Sequence, residues 1–240
     1  MTENADSADP ILVVVAHPDD CDFGCAGSTA RWTAEGRQVS YCIVTDGDAG
    51  GSDRSISRTE MARLRREEQT AAAAAVGVTD IAFLGHADGR VQPTIELRRD
   101  ITRVIRQRKP QRVVTQSPER NYQRIFASHP DHLAAGEAAL SAVYPDSRNP
   151  FAHMDLLEKE GLEPHTVAEV YLMAMANGDT VVDITDTLEN KLAALKCHAS
   201  QYDNWEDLSE RIRGWARMNA EQKGLGEGRS AETFLQVPTG

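Results

Sequence analysis

A doubly wound α/β fold is predicted by three observations. The run "ILVVVA" at 11–16 is continuously apolar and β-branched, as expected of a strand buried on both faces of a parallel sheet. Strand-like runs then alternate with helix-like stretches along most of the chain. Polar clusters rich in His, Asp and Gly follow three of those strand-like runs, where the turns into helices belong. With right-handed crossovers, this order implies a Rossmann-like three-layer arrangement, a mostly parallel central sheet with helices on both faces.

The elements follow in order. Residues 1–9, acidic and polar, read as a flexible leader, and 11–16 as the first strand. Residues 23–36 read as a helix with Trp32 on its inner side, closing at Gly36, and "QVSYCIVTDG" as a second strand running into a glycine-rich loop. The loop, 46–57, precedes a long helix that Thr59 is expected to cap. "DIAFLG" reads as a third strand, "TIELRRDITRVIRQRK" as a helix ended by Pro110, and "RVVTQS" as a fourth strand. A helix over about 130–143, a fifth strand in "TVAEVYLMAMA" and a short sixth in "TVVDI" follow. Residues 145–165 are an insertion punctuated by Pro, Asn and Gly that is expected to cover a site. Residues 186–222 are helical, and "GLGEGRSAETFLQV" reads as a loop leading to a short apolar end. No boundary divides the chain, so 1–240 is read as one domain.

Composition narrows the partners. With 26 Lys and Arg against 37 Asp and Glu the net charge is −11, which repels nucleic acid and anionic membranes and leaves a small molecule as the expected partner. The four cysteines have no disulfide-like spacing, and no secretory signal or membrane span is visible, which points to the cytoplasm. The C-terminal helices and tail are a candidate surface for homo-oligomerisation.

Chemistry gathers in the polar clusters "HPDD" (17–20), "DGDAGG" (46–51) and "SPERN…SHPDH" (117–132), which are expected to converge beyond the carboxyl ends of the strands. His17 and Asp20 stand three residues apart, as do His129 and His132, a spacing that points side chains the same way at a helix start. A mixed His/Asp/His set suits a borderline divalent ion such as zinc, and three protein ligands leave an open catalytic position. The alternative for either tetrad is a capping turn in which Asp19 or Asp131 binds backbone N–H groups. Cys21 and Cys25 are soft ligands by type but are better read as small buried hydrophobes. His86, His153, His165 and His198 read as structural or exposed histidines. The "DGDAGG" loop lacks the spacing of a nucleotide-binding motif.

With "AHPDD" at 16–20 and "HPDH" at 129–132, the sequence resembles the LmbE-like zinc deacetylases, the PIG-L family, and "VTDGDAG", "FLGHADGRV", "KCHASQ" and "AETF" are similar to further family landmarks. The resemblance implies that His17, Asp20 and His132 bind Zn2+, with another divalent ion such as Fe2+ as the alternative. It implies Asp19 as general base, His129 as the group that stabilises the oxyanion, as an imidazolium, and Asp131 as modulator of its protonation. It also implies removal of acetyl or related acyl groups from amino sugars and their conjugates. Arg65 matches an arginine in the family's helix after the glycine-rich loop and is, with Asp48, a candidate substrate-binding residue or, alternatively, a surface ion-pair partner. The family often has a glutamate after the second aspartate, where this chain has Cys21 and Asp22. Two other readings stand beside the hydrolase: a non-catalytic sugar-binding or scaffold protein of the same fold, and a metal-dependent phosphoesterase.

Overall fold

The computed structural model describes residues 9–122, 125–175 and 177–240, without the side chain of Phe126. The expected leader at 1–9 lies almost wholly outside the described residues. Five strands, β1 (Ile11–Val15), β2 (Val39–Thr45), β3 (Asp80–His86), β4 (Arg112–Gln116) and β5 (Glu169–Met173), form a parallel sheet in the order β3-β2-β1-β4-β5. The helices α1 (Asp20–Ala34), α2 (Arg58–Ala75), α3 (Ile95–Arg108) and α4 (Pro130–Ser141) connect them, with α5 (Met154–Glu158) preceding β5.

The order runs outward from β1 through β2 to β3, then jumps back to β4 on the other side of β1. Chain connections therefore diverge between β1 and β4, which opens a crevice beyond their carboxyl ends. His17 leaves β1 at that point, and the segment carrying His129 and His132 leaves β4. The Gln116 side chain ties the two strand ends together by accepting a hydrogen bond from Ala16 N at 3.0 Å.

Why β1 is apolar throughout is visible in the packing. Ile11, Val13 and Val15 join one core cluster with residues of α1 and α2, while Leu12 and Val14 join another with residues of α3 and α4. Both faces of the strand are covered, so alternation is lost.

Four expectations are corrected here. α1 starts at Asp20, because Asp19 itself is the residue preceding the helix. Ser57, not Thr59, caps α2, its hydroxyl accepting from Glu60 N. The C-terminal "AETFLQVP" is an eight-residue strand, β7 (Ala231–Pro238), which inserts antiparallel between β5 and β6 (Thr180–Asp183). The 145–165 segment lies along α3: Arg98 pairs with Asp146, Arg99 with Asp155 and Arg103 with Glu160, and His165 Nε2 meets Pro110 O at 2.7 Å, just before β4 begins. It lies toward the amino-terminal side of β4, so among the described residues none of 145–165 lines the crevice. The helical region resolves into α6 (Leu188–Lys196) and α7 (Trp205–Gln222), which share a third apolar cluster around Leu192, Leu195 and Ile212.

Candidate active site

Each tetrad is a strand-to-helix turn. Asp20 occupies the first turn of α1, and its Oδ2 accepts from His17 N at 2.8 Å, closing the turn on itself. Pro130 opens α4, and the N-cap His129 accepts from Asp131 N through Nδ1 at 3.2 Å. Gly136 lets α4 press on β4, since a Cβ there would collide with Gln116 O. That contact seats the helix start, and with it His129 and His132, against the end of β4.

The two turns meet. His17 Nδ1 lies 3.3 Å from His132 Nε2 and 3.3 Å from Asp20 Oδ2, and Asp20 Oδ1 lies 3.0 Å from His132 Nε2. For a tetrahedral ion with metal–nitrogen distances of about 2.0–2.1 Å, neighbouring donors sit roughly 3.3 Å apart, so these residues fit a borderline divalent cation.

His17 faces two ways. On its other edge, Nε2 lies 3.1 Å from Asp88 Oδ1 and 3.3 Å from Asp131 Oδ2. The ligand atoms of His17, Asp88 and Asp131 lie within 4.8 Å of one another, as do those of His17, His129 and His132, so two further groupings have donors close enough for a metal. Chemistry separates them. Asp131 is already held by Gly89 N at 2.7 Å and Val91 N at 3.2 Å, and Asp88 by Ala49 N at 2.8 Å. Carboxylates occupied in this way suit the role of accepting Nε2–H, which leaves the Nδ1 lone pair aimed at Asp20 and His132.

The charges respond accordingly. Burial lowers the His17 pKa, but hydrogen bonds to Asp131, Asp20 and Asp88 outweigh it and push it up to about 12. Burial raises Asp88, yet the bonds from His17 and Ala49 N take it down to about 2. Three carboxylates around one imidazole are an excess of negative charge that a cation would balance.

Asp19 stands apart from this cluster. Its left-handed backbone, φ 94°, turns it away from capping α1, and it makes no capping hydrogen bond. Gln69 Oε1 holds its N–H at 2.7 Å, and Arg65 Nη2 donates to its Oδ2 at 2.9 Å. Burial raises its pKa, and despite the opposing Arg65 charge the carboxyl ends up at about 6, a value suited to taking a proton near neutrality.

Arg65 lines the crevice and is at the same time bound within the protein. Arg65 is buried, and its guanidinium is taken up by Asp19, Pro18 O and Gly47 O. The glycines of the loop serve it, since a Cβ on Gly47 or Gly50 would collide with the guanidinium. Asp48 pairs with Arg58 at 2.7 Å and does not line the crevice.

Asp131 acts on His129 through its charge, which raises the His129 pKa, and through its backbone. The carboxylate of Asp131 is hydrogen-bonded by His17, Gly89 and Val91, and its backbone N–H donates to His129 Nδ1. Because Nδ1 of His129 accepts that hydrogen bond, the proton of a neutral ring sits on Nε2. Burial, then the neighbouring His17 and His132, lower the His129 pKa, against the charges of Asp131 and Asp20, which raise it.

Cys21 and Cys25 are buried in the core, where burial pushes both thiols up. Asp22 is fully buried and binds His198 Nε2 at 2.8 Å and Gln69 Nε2 at 3.0 Å. Of the other lone histidines, His86 pairs with Asp100 and His153 with Asp146. Sequence reasoning passed over Asp88, Gln69 and the part His198 plays. For Asp88 the signal was the Asp-Gly step directly after β3, inside the "FLGHADGRV" stretch.

His17, Asp19, Asp20, Asp88, His129 and His132 line one cavity of about 630 Å³. Fold and site together define a hydrolytic α/β protein with a buried His/Asp centre at the switch point of its sheet. The family model for PIG-L, GlcNAc-PI de-N-acetylase, matches residues 12–143. The diacetylchitobiose deacetylase of Thermococcus kodakarensis is 35% identical over 82% of this chain and 72% of its own length. A 1D-myo-inositol 2-acetamido-2-deoxy-alpha-D-glucopyranoside deacetylase from a Nocardioides species is 30% identical over 80% of this chain and 82% of its own. The structure of N,N'-diacetylchitobiose deacetylase from Pyrococcus horikoshii superposes with a TM-score of 0.87 at 33% identity, covering 96% of this chain and 84% of that one. The chain belongs to the PIG-L family, and with it to the N-deacetylases.

Proposed function

We propose that this protein is a zinc-dependent hydrolase that removes an N-acetyl or related N-acyl group from an amino-sugar-like small molecule. The observation that carries the reading is the convergence of His17 Nδ1, Asp20 and His132 Nε2 at 3.0–3.3 Å beside the raised carboxyl of Asp19, in one cavity. His17, Asp20 and His132 would hold the ion, with Asp88 and Asp131 fixing the His17 ring. Held there, zinc or a similar divalent ion such as Fe2+ would supply Lewis-acid chemistry, polarising the amide carbonyl and acidifying a water.

The rest is the chain's own work. Asp19, held at its backbone by Gln69 and at its carboxylate by Arg65, takes the water's proton and passes it to the departing amine. His129 Nε2–H donates to the carbonyl oxygen as negative charge grows there. The amino-sugar class is supported by the relatives, which deacetylate diacetylchitobiose and an inositol glycoside of N-acetylglucosamine. The acidic composition and the four free cysteines support a cytoplasmic protein acting on small molecules, and the single continuous sheet supports one domain. Among the described residues no helix is long and apolar enough to cross a membrane.

Acetate release from N-acetylated amino sugars, abolished by a chelator and restored by zinc, is the expected result. Turnover that survives thorough removal of divalent ions would sink the metal-dependent reading.

A further inference from the structure

α1 does not run straight. Cys25, with φ −148° and ψ 17°, lies outside the helical region, so the first turn, 20–24, and the remainder, 26–34, meet at a kink. In an unbroken α-helix the N–H of residue 27 donates to the carbonyl of residue 23. Here both groups reach an ion pair that comes from outside the helix. Glu232 of β7 accepts from Gly27 N at 3.1 Å and from Ser28 N at 2.7 Å, and Lys191 of α6 donates to Phe23 O at 2.7 Å. Lys191 Nζ and Glu232 Oε1 lie 2.5 Å apart, which completes a path across the kink from N–H through carboxylate and ammonium to carbonyl. Both side chains are buried.

A buried ion pair is a poor source of stability, because the loss of hydration offsets most of the attraction between its charges. What this pair holds is the turn before the kink. Asp22 N and Phe23 N both donate to Asp19 O, at 2.8 and 2.9 Å, and Asp20 Oδ2 accepts from His17 N at 2.8 Å. The carbonyl gripped by Lys191 therefore belongs to the turn that bears Asp20 and is tied to Asp19. Beyond the kink, Ala26, Ala30 and Trp32 are fixed in the core, so the angle at Cys25 sets where the first turn points.

We infer that Lys191 and Glu232 are positioning residues: by bridging the broken step of α1 they direct its first turn, and with it the approach of Asp20 to the ion and of Asp19 to the water. The inference rests on the zinc-hydrolase reading above and goes beyond it by giving a role to two residues outside the ligand and proton-transfer set.

The test uses the full chain and three variants, Lys191→Leu with Glu232→Leu, Glu232→Gln alone, and Lys191→Arg alone. Removing both charges leaves Gly27 N and Phe23 O free to take up the ordinary helical bond, so the double variant is expected to keep the native melting temperature. With zinc saturating, on a substrate that the native protein deacylates, its kcat is expected to fall by about 10²-fold at nearly unchanged KM, as small displacements of reacting groups do. Zinc affinity, read by equilibrium dialysis without substrate, is expected to weaken by about tenfold or more. Lys191→Arg keeps a cation with donors for both partners and is expected to retain most of each. Should the double variant not fold, the near-isosteric Glu232→Gln is read in the same way.

A loss of kcat or of zinc affinity at an unchanged melting temperature supports the positioning role. Native kcat and zinc affinity in a folded variant that lacks the pair would overturn it, and so would losses that only follow the melting temperature across the variants. A raised KM at native kcat and zinc affinity also counts against it, because it would put the pair in contact with substrate. The two readings fail separately. If the native protein deacylates no amino sugar but zinc affinity drops in the double variant, the deacetylase reading falls and the positioning role stands; deacylation with kcat and zinc affinity indifferent to the variants does the reverse.

Discussion

Asp22 and His198 form a fully buried pair, Oδ2 to Nε2 at 2.8 Å, that ties the first turn of α1 to the loop after α6. Gln69 completes a chain from this pair to the N–H of Asp19, donating to Asp22 and accepting from Asp19. The pair thus supports the turn that presents Asp19 to the cavity.

Replacing His198 with Leu leaves the Asp22 carboxylate buried with one partner fewer and is expected to cost about 1–3 kcal/mol, read as a lower melting temperature. The pair also gives the stability a pH dependence. Burial lowers the His198 pKa, and the bond to Asp22 more than offsets this, so the folded value is raised. The protonated form's contribution is complete below about 6.5, the ordinary histidine value, and fades as pH rises through the raised folded value. Across that window the native melting temperature should fall more than that of His198→Gln. Parallel curves would show that the imidazole does not titrate with folding.

Asp19→Asn keeps a residue that tolerates the left-handed backbone, so the fold and the metal content should persist. Turnover should drop by about 10²–10⁴-fold, the usual contribution of a positioned proton carrier. Full turnover in a variant with normal metal content would remove Asp19 from the mechanism.

For Arg65 the expected effect is a shift in the pH profile. Burial raises the Asp19 pKa and the Arg65 charge opposes it. Without that charge, in Arg65→Met, the acid limb of kcat/KM should move to higher pH, while Arg65→Lys, which keeps the charge, should move it less. An acid limb that stays in place in both variants would show that Arg65 acts only as a packing element for the 46–50 loop.

Asp88→Asn separates the two faces of His17. If Asp88 only holds the ring, zinc affinity should weaken by roughly 10–100-fold, whereas Asp20→Ala should abolish stoichiometric binding. Equilibrium dialysis of zinc against both variants decides it, and the reverse order would assign the ion to the Asp88 and Asp131 side.

Added zinc should raise the melting temperature of the native protein, because an ion that binds only the folded state stabilises it by mass action. The same addition to His132→Ala should raise it little. An equal shift in both would locate the ion elsewhere.

Much of the site could be read without coordinates because its tetrads are local devices. His17 with Asp20, and His129 with His132, are brought together by helix starts whose geometry depends on adjacent residues only. The β1 run likewise declared its own burial, since a strand covered on both faces has no polar positions to alternate. Residues whose roles depend on distant partners were not legible in this way. Asp88 reaches His17, and Arg65 reaches Asp19 and Gly47 O, only through the tertiary structure. The strand at Ala231–Pro238 was hidden because its mixed Glu, Thr and Gln pattern gains strand character only from the partners β5 and β6.

The residue types of each turn, the mostly parallel α/β class and the acidic character of the molecule were legible along the chain, all properties of short-range order and composition. Tertiary structure decided that β4 lies against β1, which sets His132 Nε2 3.3 Å from a nitrogen 115 residues earlier, and that α7 leans over the same cavity. Strand order depends on packing between segments far apart in the chain, and no local pattern encodes it.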